Sequence, residues 1–165
     1  MSVRLLRRQA LAIFRAALQA ADPAAAVKRC LEKRDFSAYR HIYVIGAGKA
    51  GAPMAAAAER ILGKRITQGL VNVKDGHVAK NKAGHVVNLR RIELNQCGHP
   101  VPDRRGVSGA QRIAQIAEVA GSEDLVLFLI SGGASALLPL PAPPVTLAAM
   151  QRVTRMLLAC GADIH

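Results

Sequence analysis

With 165 residues the chain is long enough for one domain with a real core. Hydrophobic residues make up 51% and charged residues 21%, ordinary for a folded protein, and no apolar run reaches the roughly 18 residues of a membrane helix. Basic residues outnumber acidic ones by 23 to 11, giving a net charge of +12, but two tyrosines, three phenylalanines and no tryptophan supply no basic stripe interleaved with stacking rings. The charge therefore reads as a solvated basic surface or a preference for anionic substrates, with neither nucleic acid nor membrane as a partner.

Residues 3–20 bring Val3, Leu6, Ala10, Phe14, Ala17 and Leu18 near helical spacing. The stretch is Arg-rich and amphipathic, as some mitochondrial presequences are, but a surface helix of the fold is the preferred reading. Asp22 and Pro23 read as the cap and first residue of a second helix reaching about Lys33. A first strand is expected over His41–Ile45. A helix should follow from Lys49 or Ala50 to Leu62, with Pro53 in its first turn, where a missing N–H costs little. A second strand is expected over Gly69–Val73, then KDGHVAKNKAGH as a turn or small hairpin. The apolar pair Val86–Val87 precedes a third strand over about Arg91–Gln96. CGHPVPDRRG reads as a loop, and Val107–Val119 as a helix with Ile113, Ile116 and Val119 on one side. LVLFLI, Leu125–Ile130, lies between GSED and SGG and reads as a buried strand. SGGASALL comes straight after it, then the proline-rich connection PLPAPPV. Thr146 caps a last helix over 147–160, which Gly161 stops.

Strands thus alternate with helices, which predicts a Rossmann-like layered α/β fold with a mostly parallel sheet. Residues 1–34 form a helical lead-in and 41–165 the alternating core; the layer looks incomplete, because the text stops just after a helix. In such sheets ligands bind beyond the carboxyl ends of the strands. GAGKAG, CGHPVPD and SGGAS all fall there.

Gly46, Gly48 and Gly51 fit G-x-G-x-x-G. Such glycines let backbone N–H groups approach an anion, and the following helix adds its positive end, which suits a pyrophosphate or a lone phosphate. NAD binding needs an acidic residue after the second strand. Asp75 is the candidate, and a plain turn role suits it equally well. Lys49, inside the loop, has a direct use in phosphoryl transfer and none that hydride transfer requires; the blander reading is a solvated first-turn lysine. The Walker A pattern is absent. Ser131 and Ser135 can donate to phosphate oxygens while Gly132 and Gly133 expose amides; either serine could instead cap a helix. A serine nucleophile would need G-x-S-x-G, which is missing. His99 suits acid–base work or simply holds its turn. Asp103 could orient a lysine, contact a metal, or cap the helix near Val107. His41, His77, His85 and His165 show no ligand spacing with each other, and Cys30, Cys97 and Cys160 form neither a close metal pair nor a disulfide framework. No metal cage is expected from this chain alone, and a reducing cytoplasm fits.

Taken in order, IFRAALQAADP, VIGAGKAGAPMA, GHPVPD, LFLISGGASALL and RMLLACGADIH resemble the N-terminal part of the bacterial-type glycerate 2-kinase family, often described as hydroxypyruvate reductases. The likeness covers nearly the whole chain. It implies the larger α/β domain of a two-domain kinase whose site lies between the domains. It also implies transfer of the ATP γ-phosphoryl group to the C2 hydroxyl of D-glycerate, giving 2-phosphoglycerate and ADP with Mg2+. By this resemblance Lys49 would be the catalytic loop lysine, and Ser131, Gly132, Gly133 and Ser135 the phosphate-handling loop. His99 and Asp103 occupy the HPVPD positions, with no role assigned. The alternatives are an NAD(P)-dependent hydroxypyruvate reductase and a truncated, inactive anion-binding module.

Two departures bear on that expectation. The family loop usually reads SGGGSAL, and Ala134 stands at its third glycine; a methyl is a handicap if the position needs positive φ and harmless if its angles are helical. The family also continues for several hundred residues, through a basic segment resembling VRKHLS and a smaller C-terminal domain. The expectation is therefore a fragment that lacks kinase activity alone and self-associates through apolar surface left open.

Overall fold

The computed structural model describes residues 2–79, 83–86 and 88–162. Two helices lead in. Helix α1, Val3–Ala20, is capped by the Ser2 hydroxyl, which accepts from the Leu5 amide, and buries none of its residues. Helix α2, Pro23–Leu31, starts at the expected proline, with Asp22 accepting from the Ala24 and Ala25 amides. The alternation then runs β1 Ile42–Ala47, α3 Gly51–Leu62, β2 Ile66–Lys74, β3 Ile92–Cys97, α4 Arg104–Glu118, β4 Leu125–Ile130, the single-turn α5 Ala134–Leu137 and α6 Leu147–Cys160.

The four strands form one sheet in the order β3-β2-β1-β4, and every neighbouring pair is parallel. This is the layered α/β architecture that the alternation of strands and helices predicts. The order reverses between β1 and β4. Chain direction therefore puts the loops after β1 and β4 side by side at one edge, where parallel sheets open a crevice.

Period-two alternation divides the core between the two faces of the sheet. Val44, Ile66, Val71 and Ile92 pack with Val27 and Leu31 of α2 and with the alanines Ala52, Ala55 and Ala58 of α3. Tyr43, Ile45 and Leu70 point the other way, against Ile113 and Ile116 of α4. Side chains removed from water this completely contribute roughly 1.5–3 kcal/mol each. The small alanines bring α3 close to the sheet, and Glu59 on that helix accepts from the Arg90, Arg91 and Ile92 amides (2.8, 2.8 and 3.0 Å), fixing where β3 begins.

Helix α4 begins at Arg104, three residues before the expected start at Val107, because the Asp103 carboxylate accepts from the Gly106 amide at 3.0 Å and caps it. The turn at Asp75–Gly76 forms as expected, with Gly76 at φ 78°. The remainder of the expected hairpin runs through residues 80–82, and Val87 follows; these, like His165, lie outside the described residues.

Beyond the core the surface is apolar in three places. Among the described residues nothing pairs with the outer edge of β4, where Phe128 and Ile130 are exposed. Neither α1 nor α6 buries a residue. This is the kind of surface that the expectation of self-association requires. No single helix among the described residues is long and apolar enough to cross a membrane; α1 and α2 meet that test only together, across a 46° bend.

Candidate functional site

Three strand-end loops meet at the crevice edge, and the two glycine loops touch directly. In GAGKAG every amide from Gly48 to Gly51 is engaged within the protein. Gly48 donates to the Asn72 carbonyl (3.1 Å), Lys49 to the Gly132 carbonyl (3.0 Å), Ala50 to Ser131 Oγ (3.0 Å) and Gly51 to the Gly48 carbonyl (3.0 Å). Its glycines answer to packing. A Cβ at Gly46 would overlap the Leu129 carbonyl of β4, and one at Gly48, whose φ is 144°, would overlap the Ser131 hydroxyl. At Gly51 it would lie 2.8 Å from Val71 Cγ1, so the helix could not sit against β2.

SGGAS is arranged differently. Ser131 anchors it, donating its amide to the Ala47 carbonyl (3.2 Å) while its hydroxyl accepts from Ala50. The amides of Gly132 and Gly133 donate to no acceptor among the described residues. Gly133, with φ 88°, is the residue before α5, and no side chain caps that turn, so neither Ser131 nor Ser135 serves as its cap. Ser135 is exposed. Ala134 begins α5 with helical angles, and among the described residues none other than glycine has positive φ. The methyl at the family's third glycine is therefore harmless to the backbone.

The charged groups gather over Gly133. A Cβ there would lie 2.8 Å from His99 Nε2 and 2.9 Å from Lys49 Cε, so both side chains lean over one point of the loop. His77 joins them: its Nδ1 donates to the Lys49 carbonyl at 2.8 Å. That bond fixes one proton on Nδ1. Burial, and then the positive charges of Lys49, Lys74 and His77, push the His99 imidazolium below its ordinary value, favouring the neutral ring.

The nearby carboxylates are committed elsewhere. Arg105 forms two bonds to Asp75 (both 2.8 Å) and two to Asp103 (2.9 and 2.6 Å). Asp103 also accepts from the Gly98 and Gly106 amides, both at 3.0 Å. Burial opposes its ionisation, but the Gly106 amide, Arg105 and the Gly98 amide outweigh that and hold its carboxyl below the usual range. Cys97, at the end of β3, is buried and its thiol is pushed up to about 11, chiefly by that burial, so it is not a nucleophile at neutral pH. Among the described residues no group of three His, Cys, Asp or Glu could hold a metal ion.

The site residues expected from sequence thus fall into two sets. Lys49, His99, Ser131, Gly132 and Gly133 come together. Asp103 stands behind them as a cap and loop brace, and Gly46, Gly48 and Gly51 lie beneath as packing positions. Sequence reasoning passed over Lys74, Arg105 and Asn72, and weighed His77 only as a metal ligand. Asn72 is wholly buried; its amide donates to the Gly106 (3.2 Å) and Leu137 (2.7 Å) carbonyls and its oxygen accepts from Asn95 (2.8 Å). One signal was available, a polar residue inside the apolar run LVNV.

The family model described as "Domain of unknown function (DUF4147)" matches residues 9–165. The chain belongs to this family. Its relatives connect the DUF4147 domain with glycerate kinases. The chain is 39% identical over 177 residues to glycerate kinase of Homo sapiens, with 97% of this chain and 34% of that protein covered. It is also 39% identical over 152 residues to a putative hydroxypyruvate reductase of Agrobacterium vitis, covering 92% and 32% of the two chains. The crystal structure of glycerate kinase from Thermotoga maritima superimposes with a TM-score of 0.78 at 35% identity, over 98% of this chain and 36% of that one. The chain spans about a third of the length of the relatives it matches.

Proposed function

We propose that this DUF4147 chain is the N-terminal portion of the larger α/β domain of a glycerate 2-kinase and supplies one wall of its site. The observation that carries the reading is the convergence of Lys49 and His99 over the open SGGAS loop at the point where the strand order reverses. On this reading D-glycerate and a nucleotide are the partners, and ATP supplies the phosphoryl group. The amides of Gly132 and Gly133, with Ser135 on the exposed turn beside them, would hold its phosphates. Lys49 is the catalytic residue: its ammonium offsets charge on the γ-phosphoryl group as the β–γ P–O bond breaks and the bond to the C2 oxygen forms. His99, favoured as the neutral ring, takes the hydroxyl proton on Nε2. Gly46, Gly48 and Gly51 act indirectly, by letting the Lys49 loop lie against SGGAS. Magnesium, implied by the family resemblance, finds no ligand set in these residues, since Arg105 holds both Asp75 and Asp103. Three unpaired cysteines suit a reducing cytoplasm.

The engagement of Asp75 also weighs against NAD(P)-dependent reduction of hydroxypyruvate, because a ribose-binding carboxylate must be available to the sugar. The test joins the chain to the remaining two-thirds of the Thermotoga maritima enzyme. ATP and D-glycerate should yield 2-phosphoglycerate and ADP, and Lys49→Ala should slow this by about a hundredfold or more. Turnover unchanged by that substitution removes Lys49 from the chemistry. Nicotinamide absorbance falling with hydroxypyruvate, without ATP consumption, makes the protein a reductase. ADP binding without turnover leaves an anion-binding module.

A further inference from the structure

Four side chains with cationic or titratable nitrogens share one small region of this surface, and no carboxylate among the described residues pairs with them. Lys49 and His99 flank Gly133, His77 is bonded to the Lys49 main chain, and Lys74 ends the strand leading into the His77 turn. The positive charges of Lys49, Lys74 and His77 all reach His99. Among the described residues no carboxylate pairs with any of the four. The two acidic residues at this edge, Asp75 and Asp103, are both bonded to Arg105 rather than to this cluster. Like charges held together are unfavourable unless something offsets them. The bond from His77 Nδ1 to the Lys49 carbonyl also leaves His77 Nε2 as its second polar atom, a donor once the ring is protonated.

We propose that Lys74 and His77 join Lys49, beside His99, in a binding site for a doubly charged tetrahedral oxyanion, such as phosphate or the terminal group of a phosphate ester. This rests on the kinase reading for its biological ligand, but the site is defined by this chain's own residues. His77 has a second task in it as a positioning residue, holding the Lys49 loop through the main chain.

The probe is sulfate, a dianion throughout the neutral range, added to the chain at constant ionic strength and followed by NMR of the histidine rings and by urea denaturation. The His77 and His99 ring signals should move saturably while the His41 signals stay still, and sulfate should raise the denaturation midpoint. Lys74→Gln and His77→Ala should each weaken sulfate binding about fivefold, the scale of one charge-assisted bond at a partly exposed site. Lys74→Gln should also raise stability when sulfate is absent, an effect a purely structural lysine would not give. Rings of His77 and His99 that ignore sulfate overturn the proposal, as does undiminished affinity in both variants. The kinase reading fails separately: sulfate that moves the rings but is not displaced by ADP leaves the anion site standing without its nucleotide. ADP that binds without moving the His77 ring leaves the nucleotide without this cluster.

Discussion

The two glycine loops lie side by side at the same sheet edge and use glycine for opposite ends. GAGKAG is closed: the amides of Gly48, Lys49, Ala50 and Gly51 are all engaged, and Gly46, Gly48 and Gly51 are glycine because β4, Ser131 and β2 leave no space for a methyl. SGGAS is open: the amides of Gly132 and Gly133 have no acceptor among the described residues, and a Cβ at Gly132 would meet nothing within 4 Å. The G-x-G-x-x-G spacing, which looks like a ligand signature, is here a packing signature. The less conspicuous loop is the one that faces outward. Lys49 connects the two, with its amide in the closed loop and its side chain over the open one.

The largest effect that this contrast predicts is at Gly48. Alanine there combines a φ of 144° with overlap on the Ser131 hydroxyl, so Gly48→Ala should cost roughly 3 kcal/mol in urea denaturation, from backbone strain and overpacking together. A loss well below 1 kcal/mol would mean the closed loop is not held by its glycines. Next comes Ser131→Ala, which removes the acceptor of the Ala50 amide and the side-chain link between the loops. It should cost about 1 kcal/mol. The kinase reading adds a second readout, since loosening the Lys49 loop should lower turnover of the joined enzyme more than it lowers nucleotide affinity.

Much of this arrangement was legible in the sequence. The bounds of α1, β4 and α6 follow from apolar spacing and caps, and the alternation of strands and helices yields the parallel sheet. That GAGKAG and SGGAS share an edge follows from their places after strands. Partner choice did not follow. Asp75 read as a ribose ligand or a plain turn residue, and only the strand order brings it to Arg105. Asp103 left three roles open until its carboxylate was seen on the Gly98 and Gly106 amides. His77 was weighed only against other histidines as a metal ligand, whereas its partner is a main-chain carbonyl 28 residues earlier. Spacing along the chain carries no information about such a contact, because it depends on which strands become neighbours.

A smaller effect separates the loops electrostatically. His99 lies over the open loop with its imidazolium disfavoured, chiefly by burial and then by Lys49. Its folded value lies below the unfolded one, so the unfolded chain binds the proton more readily. The contribution to stability is then full above the unfolded value of about 6.5 and is lost as pH falls through the lower, folded one. Between pH 7.5 and 5.5 the urea midpoint of the wild type should therefore fall further than that of His99→Gln. Equal slopes would mean that neither burial nor the lysines around it disfavour the His99 imidazolium.

The smallest effect is expected at Gly132, and its smallness makes it the sharpest check on the contrast. An added methyl there meets open space, and the residue has no positive φ to surrender. Alanine also narrows the unfolded ensemble, which favours the folded state by up to about 1 kcal/mol where the backbone accepts it. Gly132→Ala should thus leave the denaturation midpoint unchanged or slightly raised, while Gly48→Ala, one loop away, lowers it steeply. If Gly132→Ala were instead as damaging as Gly48→Ala, the amide of Gly132 would have to be tied down by contacts of its own. SGGAS would then be a second closed loop, and Lys49 and His99 would lean over a surface with no donors left to offer an anion.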